Sequence, residues 1–256
     1  MTGPAVADYE RTGGALILGA VLLLLTALLT NRGDITSATL ILSGTACFVS
    51  GLFILTFTKS DPVDRHLAAL LPAQGQIEIC TICADLGVHG SGYVLPPTKS
   101  RPLTHFIPVG DYRPPQLEKN SVIVIEGEGS CGVALTPSGT PLLDMLARDH
   151  SLVIPPDEPG LLAAIREVLL SVLELGDRIT VTRSGESIIV TIASYRLVEG
   201  CKVVQARSPT CCTTYPCPVC SLIACLLAQG TGKTVTLERV TIEGPDLQLL
   251  FGCALS

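Results

Sequence analysis

The sequence has no run of Lys or Arg, and charged residues make up only 16% of it, with a formal net charge of -6 at pH 7. A nucleic-acid partner calls for a basic face, so none is expected. Histidine is scarce as well: His66, His89, His105 and His150 are scattered, and none stands at ligand spacing from a carboxylate or a cysteine. Two catalytic motifs each lack one glycine. GTGKT at 230–234 has Leu227 where a phosphate-binding loop carries its first glycine, and an apolar helix precedes it where a strand is needed. It reads as a helix end and turn, with no nucleotide to hold. EGEGSCG at 126–132 has Glu128 where a G-x-S-x-G elbow carries its first glycine, and its strand-turn-strand setting does not expose a nucleophile. Glu126 and Glu128 then belong to a solvated hairpin turn.

Apolar sequence is abundant instead. Hydrophobic residues make up 47% of the 256 residues and the mean hydropathy is +0.50, too high for an ordinary soluble protein. Residues 12–31 and 35–58 are uncharged runs of 20 and 24 residues, each long enough for a hydrocarbon core of about 30 Å. Only Arg32, Gly33 and Asp34 part them, which predicts a transmembrane hairpin over 1–60, with helices at about 13–30 and 36–58. A cleaved leader fits less well, because Asp8 and Glu10 outweigh Arg11 ahead of the first run and no small-residue cleavage site follows it. Arg11, Lys59 and Arg65 flank the outer ends against Arg32 in the turn, which predicts a two-pass integral membrane protein with its large C-terminal domain in the cytoplasm. The bilayer is thus one expected partner.

The remainder divides into a connector and Pro/Gly-rich strap over 61–120 and a folded domain over 121–256. The strap predicts one or two short edge strands, and IEICTIC at 77–83 alternates like a strand, with Cys80 and Cys83 on opposite faces. SVIVI and CGVAL bracket a hairpin at 126–132, and Thr140 with Pro141 opens a helix. From 158 onward, Leu161, Leu162, Ile165, Leu169 and Val172 recur at helical spacing up to a stop near Gly176, followed by a hairpin turning at 183–186. The C-terminal stretch repeats this order, so the fold class is α+β: an antiparallel sheet built from two αββ units and backed by helices.

Ten of the eleven cysteines follow the apolar runs, and four lie within CCTTYPCPVC at 211–220. Adjacent Cys211 and Cys212 beside a CxxC would scramble under oxidising conditions, which favours a reducing compartment. Their spacing allows a zinc or iron-sulfur site. Cys212, Cys217 and Cys220 follow C-x4-C-x2-C with Cys253 as a fourth ligand, and Cys80 and Cys83 with Cys217 and Cys220 make an alternative set of paired CxxC knuckles. Against this, cysteine packs as a small hydrophobe, so Cys80, Cys131, Cys201, Cys225 and Cys253 read most simply as core residues. Cys211 and Cys212 are expected to be exposed and tolerant of substitution.

YPCPVCSLIACLL resembles the glutaredoxin active-site stretch, where a CPxC opens a helix, and this resemblance implies a reactive thiolate at Cys217 and thiol oxidoreductase activity. The anchor, the strap, GVALTPSGTPLLDML and the two αββ units together resemble a group of uncharacterised archaeal membrane-anchored proteins, which brings no activity with it. The tail CSLIACLLAQGTGKTVTLERVTIEGPDLQLLFGCAL is similar to the end of vinyl-reductase-type domains and implies small-molecule binding, although its turn carries Gly244, Pro245 and Asp246 without the flanking cysteines. The leading expectation is a membrane-tethered, non-catalytic binding or interaction module for a protein or a small molecule. The metal protein and the CxxC thiol oxidoreductase are the alternatives.

Overall fold

The computed structural model describes residues 4–30, 35–57, 64–99, 101–115, 123–125 and 131–254. The chain forms two compact units, Met1–Val63 and Asp64–Ser256. Glu126 and Glu128 lie outside the described residues.

In the first unit, α1 (Pro4–Thr30) and α2 (Ile35–Phe57) lie side by side. They run antiparallel, since Gly13 meets Leu55, Gly51 meets Ile17 and Gly44 meets Leu24. Gly13, Ala20 and Ala27 on one helix and Gly44 and Gly51 on the other are buried at heptad spacing. Small residues there let the two backbones approach closely, the packing mode that works between apolar helices. Bulky side chains such as Leu22, Leu28, Leu42 and Phe53 face outward and are exposed.

The second unit is a mixed α+β structure around an eight-stranded antiparallel sheet ordered β3-β4-β2-β1-β7-β8-β6-β5. Its strands are β1 (Tyr93–Leu95), β2 (Thr104–Pro108), β3 (Ile123–Ile125), β4 (Cys131–Leu135), β5 (Arg178–Ser184), β6 (Ser187–Ala193), β7 (Thr234–Glu243) and β8 (Asp246–Ala254). Alternation sets the buried face: Ile188, Val190 and Ile192 on β6 and Leu247, Leu249 and Phe251 on β8 all point inward. They meet α5 (Thr140–Asp149), α6 (Glu158–Glu167) and α9 (Pro218–Thr231) in one apolar core.

α9 sits at the centre of that core, with every residue from Val219 to Ala228 buried. A helix apolar on all sides belongs in such a position. It ends at Gly232, whose left-handed φ of 67° closes the helix before β7 begins, so GTGKT is a helix stop and strand start. α6 is capped by the Asp157 carboxylate, which accepts from the Gly160 amide at 2.8 Å, and it runs on into a π-helical turn at Val168–Val172.

Three expectations are corrected. IEICTIC is not a strand: it lies in α4 (Ala73–Asp85), which follows α3 (Arg65–Leu70) and packs against α7 (Val198–Arg207) and α8 (Cys211–Thr214). An alternating apolar run of seven residues fits either period, and here neighbouring helices decided it. β1 and β2 are interior strands, β1 lying between β2 and β7, so the Pro/Gly-rich segment is part of the sheet and of the second unit. Cys131 is exposed, whereas Cys211 and Cys212 are buried beneath α4 and α7.

Among the described residues, four stretches are long and apolar enough to cross a membrane: Thr12–Leu29, Thr36–Thr56, Arg65–Asp85 and Cys211–Thr231. The last is accounted for by burial within the second unit. Arg65–Asp85 is broken between α3 and α4 at Leu71 and Pro72.

Candidate functional site: a thiol-lined apolar cavity

The segment that leads into α9 is clamped carbonyl by carbonyl. Thr214 O accepts from His105 Nε2 on β2 at 2.8 Å, Tyr215 O from Gln76 Nε2 on α4 at 2.8 Å, and Pro216 O from Ser138 Oγ at 2.7 Å. Three separate elements thereby fix the approach to Cys217. A carbonyl can only accept, so His105 carries its proton on Nε2, and its buried Nδ1 has no partner among the described residues. Burial pushes the His105 pKa down to about 4 and keeps the ring neutral, while its edge packs against Tyr215 with centroids 5.3 Å apart.

Cys217 is the N-cap of α9, Pro218 takes the first helical position, and Cys220 lies one turn further on. The Val219 and Cys220 amides at the open helix end lie close to the Cys217 sulfur without closing a capping hydrogen bond, and the other groups around it also favour the anion. The Cys201 thiol, then the Cys220 thiol, hold its pKa well below the ordinary thiol range; burial opposes them, and the Cys220 and Val219 amides reinforce them. The partners move the other way. Cys201 is pushed up chiefly by donating its S–H hydrogen bond to Cys217, and so is Cys220, with burial adding to both. Burial raises Cys212 to about 12. One thiol of the group is therefore set apart as the acidic one.

These cysteines line a cavity of about 520 Å³. Its wall comes from Ala68, Leu71, Pro72 and Gln76 around the α3–α4 turn, Leu142 on α5, Leu173 and Leu175 beyond the π turn, Tyr195, Val204 on α7, and Val240 on β7. Cys201, Cys212, Cys217 and Cys220 complete it, and among the described residues no Asp, Glu, Lys, Arg or His contributes. The volume falls within the range of small-molecule sites, as does the mostly apolar lining.

The backbone around the wall is held in less common conformations. The Leu173 amide reaches back to Val168 O at 2.9 Å, closing the π turn, and Glu174 follows at a φ of 47°. Turns of this kind recur at functional sites. Ser194, at a φ of 54°, donates its amide to Asp246 Oδ1 at 2.8 Å, and the Tyr195 amide donates to Pro245 O at 2.8 Å. The β7–β8 turn thus presents Tyr195 to the cavity. Burial, then the nearby Cys217, raises the Tyr195 pKa well above the usual phenol value, so it stays protonated.

The residues expected as metal ligands are distributed unevenly. Cys212, Cys217 and Cys220 share the cavity wall, but Cys253 lies on β8 opposite Val235, beyond the C-terminal end of α9. Cys217 caps the other end of this 14-residue helix, about 21 Å away at 1.5 Å per residue. In the alternative set, Cys80 points its thiol at Cys211 O at 3.6 Å, and Cys83 packs with Val88, Ile107, Val133 and Tyr215. Among the described residues, no group of three or more His, Cys, Asp or Glu side chains is placed to hold a metal ion. Cys201 is the member that sequence reading assigned to the core, because only the packing of α7 against α8 brings it beside Cys217.

No curated protein and no solved structure matches the chain. A family model for a domain of unknown function, DUF7982, matches residues 5–254, and the chain belongs to that family.

Proposed function

We propose that this protein is a two-pass, membrane-tethered binding module that takes a small, uncharged, apolar molecule into the cavity of its Asp64–Ser256 unit. The observation that carries the reading is the cavity itself, about 520 Å³ in volume with no charged side chain among the described residues of its wall. Such a space in water favours apolar occupants by roughly 25 cal/mol for each Å² they bury. The four cysteines, Gln76 and Tyr195 are the residues of the wall with polar side-chain atoms, and we assign them the orienting of a guest.

The tether is read from α1 and α2, which are long and apolar enough to cross a membrane and whose outward faces carry exposed leucines and phenylalanines that a lipid environment would cover. We read them as a transmembrane hairpin and place the large unit in the cytoplasm on the strength of Arg11, Lys59 and Arg65 against Arg32. We also read α6 with β5 and β6, and α9 with β7 and β8, as two αββ units whose helices meet in the core.

Photolabelling tests the reading. The full chain in lipid nanodiscs is irradiated with a small alkyl diazirine, and the labelled peptides are mapped by mass spectrometry. Labels are expected on the cavity wall at Leu173 and Val204 as well as on α1 and α2. Ala68→Trp, which fills the cavity from its half-buried rim, is expected to remove the first set and keep the second. An unlabelled wall in the wild-type chain, with α1 and α2 labelled, would sink the proposal.

A further inference from the structure

We infer that Cys217 and Cys220 form a reversible dithiol-disulfide couple in the cavity wall, and that this couple exchanges with small, uncharged disulfides. The inference rests on the cavity reading for its substrate class.

Position comes first. An N-cap side chain folds back over the first turn of its helix, and the residue three further on stands directly above it. Cys217 and Cys220 hold these two places, and both residues line the cavity. Cys217 is half-buried and so reachable from the cavity, whereas Cys220 is buried behind it. The clamped carbonyls of Thr214, Tyr215 and Pro216 keep the N-cap in place.

Roles follow from the surroundings of each sulfur. Cys217 is favoured as thiolate by two neighbouring thiols and two helix amides, which suits it to attack. Cys220 holds its proton more firmly than an ordinary thiol, which suits it to wait and resolve. Cys201 reaches Cys217 from another helix and acts as a positioning residue that steadies the anion.

Atoms and electrons balance as follows. The Cys217 thiolate attacks one sulfur of a disulfide R–S–S–R; that bond breaks, RS⁻ departs, and a mixed disulfide joins Cys217 to the other half. Cys220 then gives up its proton and attacks the Cys217 sulfur, displacing the second RS⁻. The products are the Cys217–Cys220 disulfide, one thiol carrying the Cys220 proton, and one thiolate. Two electrons pass from the protein dithiol to the substrate, and an external thiol reverses the sequence. A charged disulfide would have to shed its hydration in a wall without counter-charge, so uncharged ones are selected.

The test uses the full chain in nanodiscs, reduced and then exposed to dithiodipyridine, which is uncharged, or to dithionitrobenzoate, which is a dianion. A fast phase with dithiodipyridine is expected, ending in a Cys217–Cys220 disulfide identified by peptide mapping. Relative to free cysteine, the chain should favour the uncharged reagent by at least about tenfold. Cys220→Ser should stop at a mixed disulfide on Cys217, and Cys217→Ser should lose the fast phase. Cys201→Ala should still form the disulfide, with the midpoint of its pH-rate profile moved upward because the anion loses its strongest hydrogen-bond donor, and Cys201→Ser, which keeps a donor, should restore it.

Absence of a fast phase, its survival in Cys217→Ser, or a disulfide joining Cys217 to Cys201 would overturn the inference. With the wall labelled by the diazirine, those results leave the binding reading standing. A Cys217–Cys220 disulfide that forms without preference for the uncharged reagent, on an unlabelled wall, would overturn the substrate class and the binding reading together.

Discussion

α2 and α9 are alike as sequence and opposite in surroundings. Each is apolar on every side and carries no charged residue. In α2, Leu42, Phe48 and Phe53 are exposed on the outer face. In α9, ten consecutive residues are covered by α5, α6 and the sheet. Apolarity and length therefore establish that a helix needs a cover, and only the rest of the chain decides whether protein or lipid provides it.

A charge placed in each helix should separate the two most sharply. Ile223→Asp puts a carboxylate at a fully buried position of α9 and is expected to destabilise the second unit by more than about 4 kcal/mol, leaving it unfolded in a thermal melt. Leu42→Asp on the outer face of α2 should leave that melt unchanged. Its cost, about 2.5–3.5 kcal/mol at the centre of a span, should appear as weaker membrane integration in alkaline extraction. Equal effects on the melt would erase the distinction.

Acid should sharpen it next. Residues 12–30 and 35–57 contain no Asp, Glu, Lys, Arg or His, whereas the second unit buries His105. Its folded pKa of about 4 lies below the ordinary 6.5, so the unfolded chain binds more protons between those values. The contribution is fully present above pH 6.5 and is lost as pH falls toward 4, amounting to about 3 kcal/mol at 1.36 kcal/mol per unit. Denaturant titrations of wild type and His105→Gln across that window should show the slope flattened in the variant. An unchanged slope would mean that the ring is not the titrating group.

The smallest effects concern single thiols. Cys225→Ser puts a hydroxyl into the centre of α9 and should cost about 1–3 kcal/mol, while exposed Cys131→Ser should stay within about 0.5 kcal/mol. Cys131 also reports sidedness: a membrane-impermeant maleimide should leave it unlabelled in intact cells and label it after lysis. Labelling before lysis would reverse the orientation proposed for the large unit.

Where one segment sufficed to specify a feature, the sequence was readable. The two apolar runs, the helix opening at Pro218, its end at Gly232 and the turn between β5 and β6 each follow from local spacing, a proline or a glycine. α1 nonetheless begins at Pro4, well before the uncharged run, because Asp8, Glu10 and Arg11 are compatible with helix even though they are not apolar. The α4 segment reads as a strand because a short alternating run carries no period of its own. The prolines around β1 and β2 suggest an edge, yet β7 and β2 pair with the two sides of β1.

The cavity was less legible still. Cys217 and Cys220 announce themselves by spacing, but Cys201, Tyr195 and Leu173 come from elements fifteen or more residues away in the chain. What joins them is the clamp on residues 214–216 and the turn that presents Tyr195, both made by side chains remote in sequence. A glutamine and a histidine are not ordinarily found fully inside without a partner, but the burial of Gln76 and His105 that marks the clamp shows only in the fold.

Native mass spectrometry of the full chain released from micelles tests the central claim most directly. The account predicts one small apolar molecule retained per wild-type chain after detergent is stripped away, and none on Ala68→Trp. A bare wild-type chain that is folded by its thermal melt, or equal retention by both chains, would contradict it.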